Sequence, residues 1–158
     1  MRALAILFVL GTLASIGSAE EKRDDREGIQ GVWRGRAVEV KGLPSTLSSA
    51  IGMVLRFEKN TFTIEHEGKV AVRGTFALDP SHKPKTIDFT IEESLQASNK
   101  GAQVWGIYKL DKDELRLCTT KANGQDRPKR FSTKQSVPHT LFAFQREKAE
   151  AMDSSKAK

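Results

Sequence analysis

Three acidic side chains share one short turn in the second half of the chain: Asp111, Asp113 and Glu114. Paired carboxylates can act as general acid and general base when their environments separate the two pKa values. In an open hairpin, however, water surrounds such groups and leaves them ordinary anions. The sequence therefore favours a solvated turn, and hydrolysis by one of these carboxylates stays as a minor alternative.

The other residue types that support catalysis or metal binding are scattered along the chain. His66, His82 and His139 lie far apart and give no metal-ligand spacing such as His-x3-His. Cys118 is the single cysteine, and its position in an alternating pattern predicts a half-buried, inert thiol. The sequence has no Gly-x-Ser-x-Gly motif, phosphate-binding loop or dinucleotide-type glycine array. We therefore expect no catalytic residue, no metal and no cofactor.

A basic segment spans residues 121 to 134 of a chain whose formal net charge is +6. Such a segment can attract phosphate or an anionic polymer of the cell envelope, or it can be a solvated cationic loop. Nucleic acid is not an expected partner, because Phe131 is the only aromatic residue of the segment that could stack on a base. The cations of the segment are Lys121, Arg127, Lys129, Arg130 and Lys134.

The first 19 residues have the composition of a secretory signal peptide. Arg2 precedes an apolar run from Ala3 to Leu13, and the small residues before Glu20 predict cleavage after Ala19. No later segment approaches the roughly 20 apolar residues that a transmembrane helix needs. We therefore expect export to the periplasm or the medium, with no transmembrane segment once the signal is removed.

Charged stretches flank the part of the chain that can fold. Residues 20–27 (EEKRDDRE) are all charged and predict a linker or a frayed turn, and residues 148–158 predict a disordered charged tail. A single domain over residues 28–147 is left, about 120 residues, which is long enough to bury a core.

Within this domain, apolar and polar residues alternate in short runs that turn residues separate at intervals of about 8 to 12 residues. This pattern predicts an all-β protein with eight strands, and the mostly tight links make neighbouring strands antiparallel. Two longer connections, 41–52 and 121–139, are the segments where binding or gating is expected. The predicted strands are 31–40, 53–58, 61–66, 69–78, 86–91, 103–110, 114–120 and 140–146.

Most predicted strands are apolar on one face and polar on the other, as the wall of a barrel in water must be. An eight-stranded barrel has an interior that side chains can fill or that can hold one small ligand. We expect a small apolar or amphipathic ligand, with the Tyr108 hydroxyl orienting its polar end. The expected lining residues are Phe57, Phe62, Ile64, Phe76, Phe89 and Tyr108.

The ends of the predicted sheet carry residues that can join it to itself. Gly31 and Trp33 lie at the start of the first strand, and Arg146 lies at the end of the last. In a closed barrel these strands are neighbours, so the Arg146 guanidinium can stack on the indole. We therefore assign these three residues a structural role in closing one end.

A Gly-x-Trp on the first strand, eight short strands and a late arginine resemble the lipocalin superfamily. Six blocks narrow the resemblance to a lipocalin-like domain family abundant in planctomycete bacteria, whose role is not established. The resemblance implies an up-and-down barrel in an exported protein, and no catalytic residues come with it. The blocks are IQGVW at 29–33, RGTFALDP at 73–80, KPKTIDF at 83–89, GIYKLD at 106–111, ELRLC at 114–118 and RPKRF at 127–131.

Two hypotheses about function follow. In the first, an exported, non-enzymatic barrel binds a small apolar or amphipathic molecule in its interior. In the second, a filled barrel serves the cell envelope as a structural module or contacts a protein or polysaccharide. The second uses the sixth strand, which is apolar on both faces because Trp105 and Ile107 lie opposite Tyr108. A loop or a partner is expected to cover its outer face.

Overall fold

The computed structural model describes residues 24–44, 50–134 and 138–148. The signal peptide predicted over residues 1–19, the first half of the linker predicted over 20–27, and residues 149–158 of the predicted tail lie outside these ranges. Within them, no helix has both the length and the apolar character needed to cross a bilayer.

Eight antiparallel strands form a closed barrel. Each long strand pairs with the next one in sequence, and the last pairs back with the first, which makes the topology up-and-down. The all-β, eight-stranded barrel predicted from the sequence is therefore confirmed. The strands are β1 Gly31–Val40, β3 Met53–Glu58, β4 Thr61–His66, β5 Lys69–Asp79, β6 Lys85–Ser94, β7 Gln103–Leu110, β8 Glu114–Thr120 and β9 His139–Arg146, with a two-residue strand β2 Leu43–Pro44 beside the end of β1.

Helical structure is confined to short pieces among the described residues. Helix α1 is Asp25–Gly28, and a 3-10 turn follows β6 at Ala97–Asn99. Asp24 caps α1 by accepting a hydrogen bond from the Arg26 amide. The helix begins inside the segment predicted as a charged linker, so the folded unit extends upstream of residue 28.

Most strand limits agree with the predicted ones, and β6 differs most. It was predicted to end at Ile91 but continues to Ser94, because a bulge shifts the register opposite Arg73 and Gly74. Gly74 is required here, since a Cβ on it would lie 1.9 Å from the carbonyl oxygen of Thr90. The bulge interrupts the period-two alternation from which the strand end was predicted.

The alternating strand directions give the barrel two different ends. Helix α1 and the links 59–60, 80–84 and 111–113 lie at one end, which we call the closed end. The connections 67–68 and 95–102, together with the described residues of two longer connections (41–44, 50–52, 121–134 and 138), lie at the other end, which we call the open end. We call the half of the interior next to the open end the upper half and the half next to the closed end the lower half.

Arg146 and Trp33 close the lower half. The guanidinium carbon of Arg146 lies 4.1 Å from the centroid of the Trp33 ring, which is fully buried. Arg146 also donates hydrogen bonds to the carbonyl oxygens of Gly28 and of Gln30, the latter at 2.7 Å. Gly31 has a φ of +110°, a backbone conformation that favours glycine, and it lies close to Nη1 of the arginine.

Helix α1 is fixed to the barrel wall through Asp25. Its Oδ2 accepts a 2.6 Å hydrogen bond from the Tyr108 hydroxyl and lies 2.5 Å from Nζ of Lys85. The indole Nε1 of Trp33 donates a 2.7 Å hydrogen bond to the carbonyl oxygen of Ile29, which follows the helix. The chain before β1 is therefore part of the closed end.

Candidate functional site

The upper half of the barrel contains an apolar cavity of about 240 Å³. It lies beneath the open end, and none of the lining residues within 24–44, 50–134 and 138–148 carries an ionisable side chain. Its apolar lining is Met53, Leu55, Phe62, Ile64, Val72, Phe89, Ile91, Val104, Leu117, Ala122, Phe142 and Phe144, and its polar lining is Asn99, Thr119, Thr120 and Thr140.

Two pairs of phenylalanines separate the cavity from the closed end. The ring centroids of Phe62 and Phe89 are 4.8 Å apart, and those of Phe57 and Phe76 are 4.7 Å apart, both with edge-to-face geometry. Phe57 also stacks with Phe89 at 6.4 Å, so the two pairs form one cluster. These closely packed rings form the floor of the cavity.

The residues predicted to line a ligand site fall at different depths. Phe62, Ile64 and Phe89 line the cavity. Phe57 and Phe76 pack against the core outside the lining, and Tyr108 lies in the lower half, 1% exposed. All six share the inward face, so the alternation of the strands alone could not separate them by depth.

The Tyr108 hydroxyl makes a hydrogen bond within the protein, to Asp25. Burial raises the pKa of this phenol, and the hydrogen bond to Asp25 and the negative charge of that carboxylate raise the pKa further. The neutral phenol donates to Asp25 at the closed end. It therefore lies away from the cavity, where it was predicted to orient a ligand.

Two threonines at the mouth of the cavity, Thr119 and Thr140, provide the hydroxyls that could orient the polar end of a ligand. Thr119 on β8 pairs directly with Thr140 on β9, in the same inward-facing series as the pair Leu117 and Phe142. Within residues 24–44, 50–134 and 138–148, no side-chain hydrogen bond involves the hydroxyl of Thr119 or of Thr140. The two hydroxyls are thus available to a bound molecule. The sequence signal was the continuation of the Leu115, Leu117 series to Thr119.

The basic segment 121–134 covers the outer face of β7 and β8. Nη1 of Arg127 donates a 2.9 Å hydrogen bond to the carbonyl oxygen of Gly106 and lies 2.6 Å from Oδ1 of Asp88. Its guanidinium also lies over the Trp105 ring, 5.8 Å from the centroid. The outer face of the strand that is apolar on both sides is therefore covered by a loop of the same chain.

A small second core lies beneath this loop. Ile107 and Cys118 are paired on β7 and β8 and are buried, although they lie outside the core cluster of the barrel, and Pro128 of the loop is also buried. Thr133 anchors the far end of the loop by bonding to the Glu39 carboxylate and accepting from the Gly42 amide at 2.9 Å. Burial raises the pKa of the Cys118 thiol, which keeps it in the protonated, weakly reactive form.

A basic groove of about 620 Å³ lies beside the same loop. Lys129, Arg130 and Lys134 line it and are exposed, whereas Arg127 is held against the barrel. Among the described residues, no ion pair involves Lys129, Arg130 or Lys134. The groove can accept an anion, although no ion pair within the described residues fixes its three exposed cationic side chains.

The remaining candidates lie away from the cavity. Asp111, Asp113 and Glu114 are at the closed end, where the carbonyl oxygen of Asp113 accepts from the Arg146 amide at 2.8 Å. His82 pairs with Asp79 at 3.0 Å, and the buried His139 bonds the carbonyl oxygen of Asp126 at 2.7 Å. These groups hold turns and loops together and do not converge on one site.

Comparison with known protein families, with curated proteins and with solved structures finds no match to this chain. The barrel is consistent with a lipocalin-like fold on its own geometry. Membership in the narrower family that the six sequence blocks resemble stays a prediction.

Proposed function

We propose that this protein is an exported, non-enzymatic, lipocalin-like barrel that binds a small apolar or amphipathic molecule in the upper half of its interior. The single observation that carries the proposal is the cavity of about 240 Å³, which has apolar walls and a few polar groups at one side. That combination is the usual composition of a small-molecule site.

The difference between the two halves of the barrel supports this proposal. The lower half is filled by Trp33, Leu115 and Phe57, whereas the upper half has space. Protein interiors are close-packed, and empty apolar volume carries a cost in stability that a ligand can offset. The cavity opens toward the end that carries the longer connections, so a ligand has a route that avoids the closed end.

Binding can be tested by filling the cavity. Val104 lines it, and Val104→Phe adds a ring to that space, whereas Val54→Phe adds the same ring to the outward face of β3. We expect the purified protein to bind fluorescent apolar probes, Val104→Phe to lose this binding, and Val54→Phe to keep it. Native mass spectrometry after mild purification should also reveal a bound molecule.

The proposal is wrong if the folded protein binds no apolar probe and carries no ligand. It is also wrong if the two phenylalanine variants bind probes equally well, because the binding surface would then lie outside the barrel. Circular dichroism of both variants separates loss of binding from loss of fold.

The basic groove favours a second candidate function, contact with an anionic polymer of the cell envelope. Charge reversal at Lys129 and Arg130 leaves the Arg127 anchor intact, and reversal at Arg56 and Lys109 gives an equal change in net charge elsewhere. Only the first pair of substitutions should abolish retention on an acidic polysaccharide at low salt. Equal loss with both pairs would show that net charge alone retains the protein, and unchanged retention would exclude the groove.

A further inference from the structure

We propose that the cavity selects an uncharged molecule of about ten non-hydrogen atoms whose single polar head binds between Thr119 and Thr140. The apolar part of the molecule would lie on Phe62 and Phe89 at the floor. This inference rests on the proposed function and specifies the ligand class of the same site.

The size of the ligand follows from the cavity volume. An apolar cavity of about 150 Å³ in another protein holds benzene, a molecule of six carbon atoms. In proportion, about 240 Å³ accommodates about ten non-hydrogen atoms. A long fatty acid or a sterol exceeds this volume, whereas a short alkyl or aryl alcohol, amide or ester fits.

The absence of charge follows from the lining. None of the sixteen described residues that line the cavity is ionisable, and the polar ones among them are three threonines and Asn99. A carboxylate or ammonium group placed there would lose its water without gaining a counter-ion, which is strongly unfavourable. The cavity therefore discriminates against ions even though the protein as a whole carries a formal charge of +6.

The position of the head follows from the register of β8 and β9. Thr119 and Thr140 are directly opposite each other, and side chains in such pairs have Cβ atoms about 4.5 to 5.5 Å apart. One ligand oxygen between them can reach both hydroxyls, because O–H···O bonds span about 2.7 to 2.8 Å. Each threonine can donate or accept, so the pair suits a hydroxyl as well as a carbonyl oxygen.

The position of the two threonines along the barrel determines the orientation of the ligand. Thr140 precedes Phe144 by four residues on β9, which places it about 13 Å farther along the strand toward the open end. The hydrocarbon part therefore points toward the phenylalanine floor and the head remains at the mouth. Thr120, the third threonine, already accepts a 3.1 Å hydrogen bond from the Trp105 amide on the outer side.

Four compounds of matched skeleton test this inference: phenylpropanol, propylbenzene, phenylpropanoate and phenylpropylammonium. Displacement of a fluorescent apolar probe from the purified protein gives their relative affinities. At pH 7 we expect phenylpropanol and propylbenzene to bind and the two ions to bind on the order of a hundredfold more weakly than the alcohol, since only their scarce neutral forms enter. Phenylpropanoate should recover as the pH is lowered toward its pKa.

Variants at the head position provide the second test. Thr119→Val and Thr140→Val preserve the shape of the side chain and remove the hydroxyl, and Thr90→Val makes the same change on the exposed face of β6. Each cavity variant should lower the affinity for phenylpropanol about fivefold, which is the usual effect of one lost hydrogen bond. The affinity for propylbenzene should not fall. Thr90→Val should change neither affinity.

The outcomes distinguish this inference from the proposed function. If no compound displaces the probe, or if no probe binds, the proposed function itself fails. If the ions bind as tightly as the alcohol, or if both threonine variants bind the alcohol with unchanged affinity, the barrel binds ligands but the inferred ligand class is wrong. Selective weakening of the alcohol by both variants supports it.

Discussion

The hydroxyl of Tyr108 and the carboxylate of Asp25, 83 residues apart in sequence, are joined by a 2.6 Å hydrogen bond at the closed end of the barrel. Lys85 approaches the same carboxylate oxygen to 2.5 Å, so a single acidic residue connects α1 to both β6 and β7. A charged residue in a segment that the composition marked as a linker thus contributes to the fold.

This bond makes the titration of Tyr108 a direct measure of folding. The pKa of Tyr108 is raised by burial, by the hydrogen bond to Asp25 and by its charge, whereas the unfolded phenol titrates near 10. Stability from the neutral phenol is therefore complete below pH 10 and is lost as the pH rises toward the folded pKa. Tyr108 is the only tyrosine, so we expect tyrosinate absorbance to appear with unfolding and not before.

The variant Tyr108→Phe should lower the free energy of unfolding at pH 7 by about 1 to 2 kcal/mol, because Asp25 loses a hydrogen-bond donor. Above pH 10 its stability should fall less steeply than that of the original protein. Urea unfolding followed by circular dichroism at several pH values gives both quantities. Parallel pH dependence in the two proteins would show that Tyr108 is not the titrating group.

Removing Arg146 at the closed end should lower the free energy of unfolding more than Tyr108→Phe does. Arg146→Ala leaves the carbonyl oxygens of Gly28 and Gln30 without a donor and exposes the Trp33 ring. We expect the free energy of unfolding to fall by about 3 kcal/mol, against less than about 0.5 for the exposed control Arg56→Ala. Denaturant unfolding measures both, and equal small losses would show that Arg146 does not hold the closed end.

Cys118 should report the opening of the outer loop. The buried thiol should resist a thiol reagent in the folded protein, because its pKa is raised by burial and the loop covers it. Arg127→Ala removes the contact with Asp88 and the hydrogen bond to Gly106, so it should accelerate labelling about tenfold. Lys129→Ala on the exposed side of the loop should leave the rate unchanged, and rapid labelling of the original protein would contradict the buried position.

Gly74 should be the glycine least tolerant of alanine. Gly74→Ala places a Cβ 1.9 Å from a backbone oxygen, which the strand can relieve only by moving, and we expect a loss of about 3 kcal/mol. Gly68→Ala meets no atom within 4 Å and carries only the cost of its positive φ, about 1 kcal/mol. Thermal unfolding compares the two, and a smaller loss at Gly74 would remove the steric explanation.

Strand positions were predictable where alternation and tight turns coincide. β3 and β4 match their predicted limits, because Lys59 and Asn60 mark the turn between two regular runs. β2 was not foreseen, since two residues give no periodicity. The turn of α1 was only one of two alternatives for the charged segment, since an entirely charged segment gives no apolar face. These elements depend on partners distant in sequence, such as Tyr108 for α1.

The candidate site was predictable in kind and only partly in detail. Alternation gives the inward face that Phe57 and Phe62 share, yet only Phe62 reaches the cavity. Depth along the barrel depends on which end is filled, and that is decided by the three-dimensional contact of Trp33 with Arg146. The threonine pair depends on the register between β8 and β9, which one strand alone does not encode.

Both edges of the folded unit meet at the same pole of the barrel. The amide of Glu147 donates to the carbonyl oxygen of Val32 at 2.8 Å, and α1 lies beside them. A fusion partner, purification tag or surface linkage attached directly at residue 24 or residue 148 would consequently project from the pole opposite the threonine pair. Immobilised in this way, the molecule would present its mouth to the surrounding solution and keep it free for exchange.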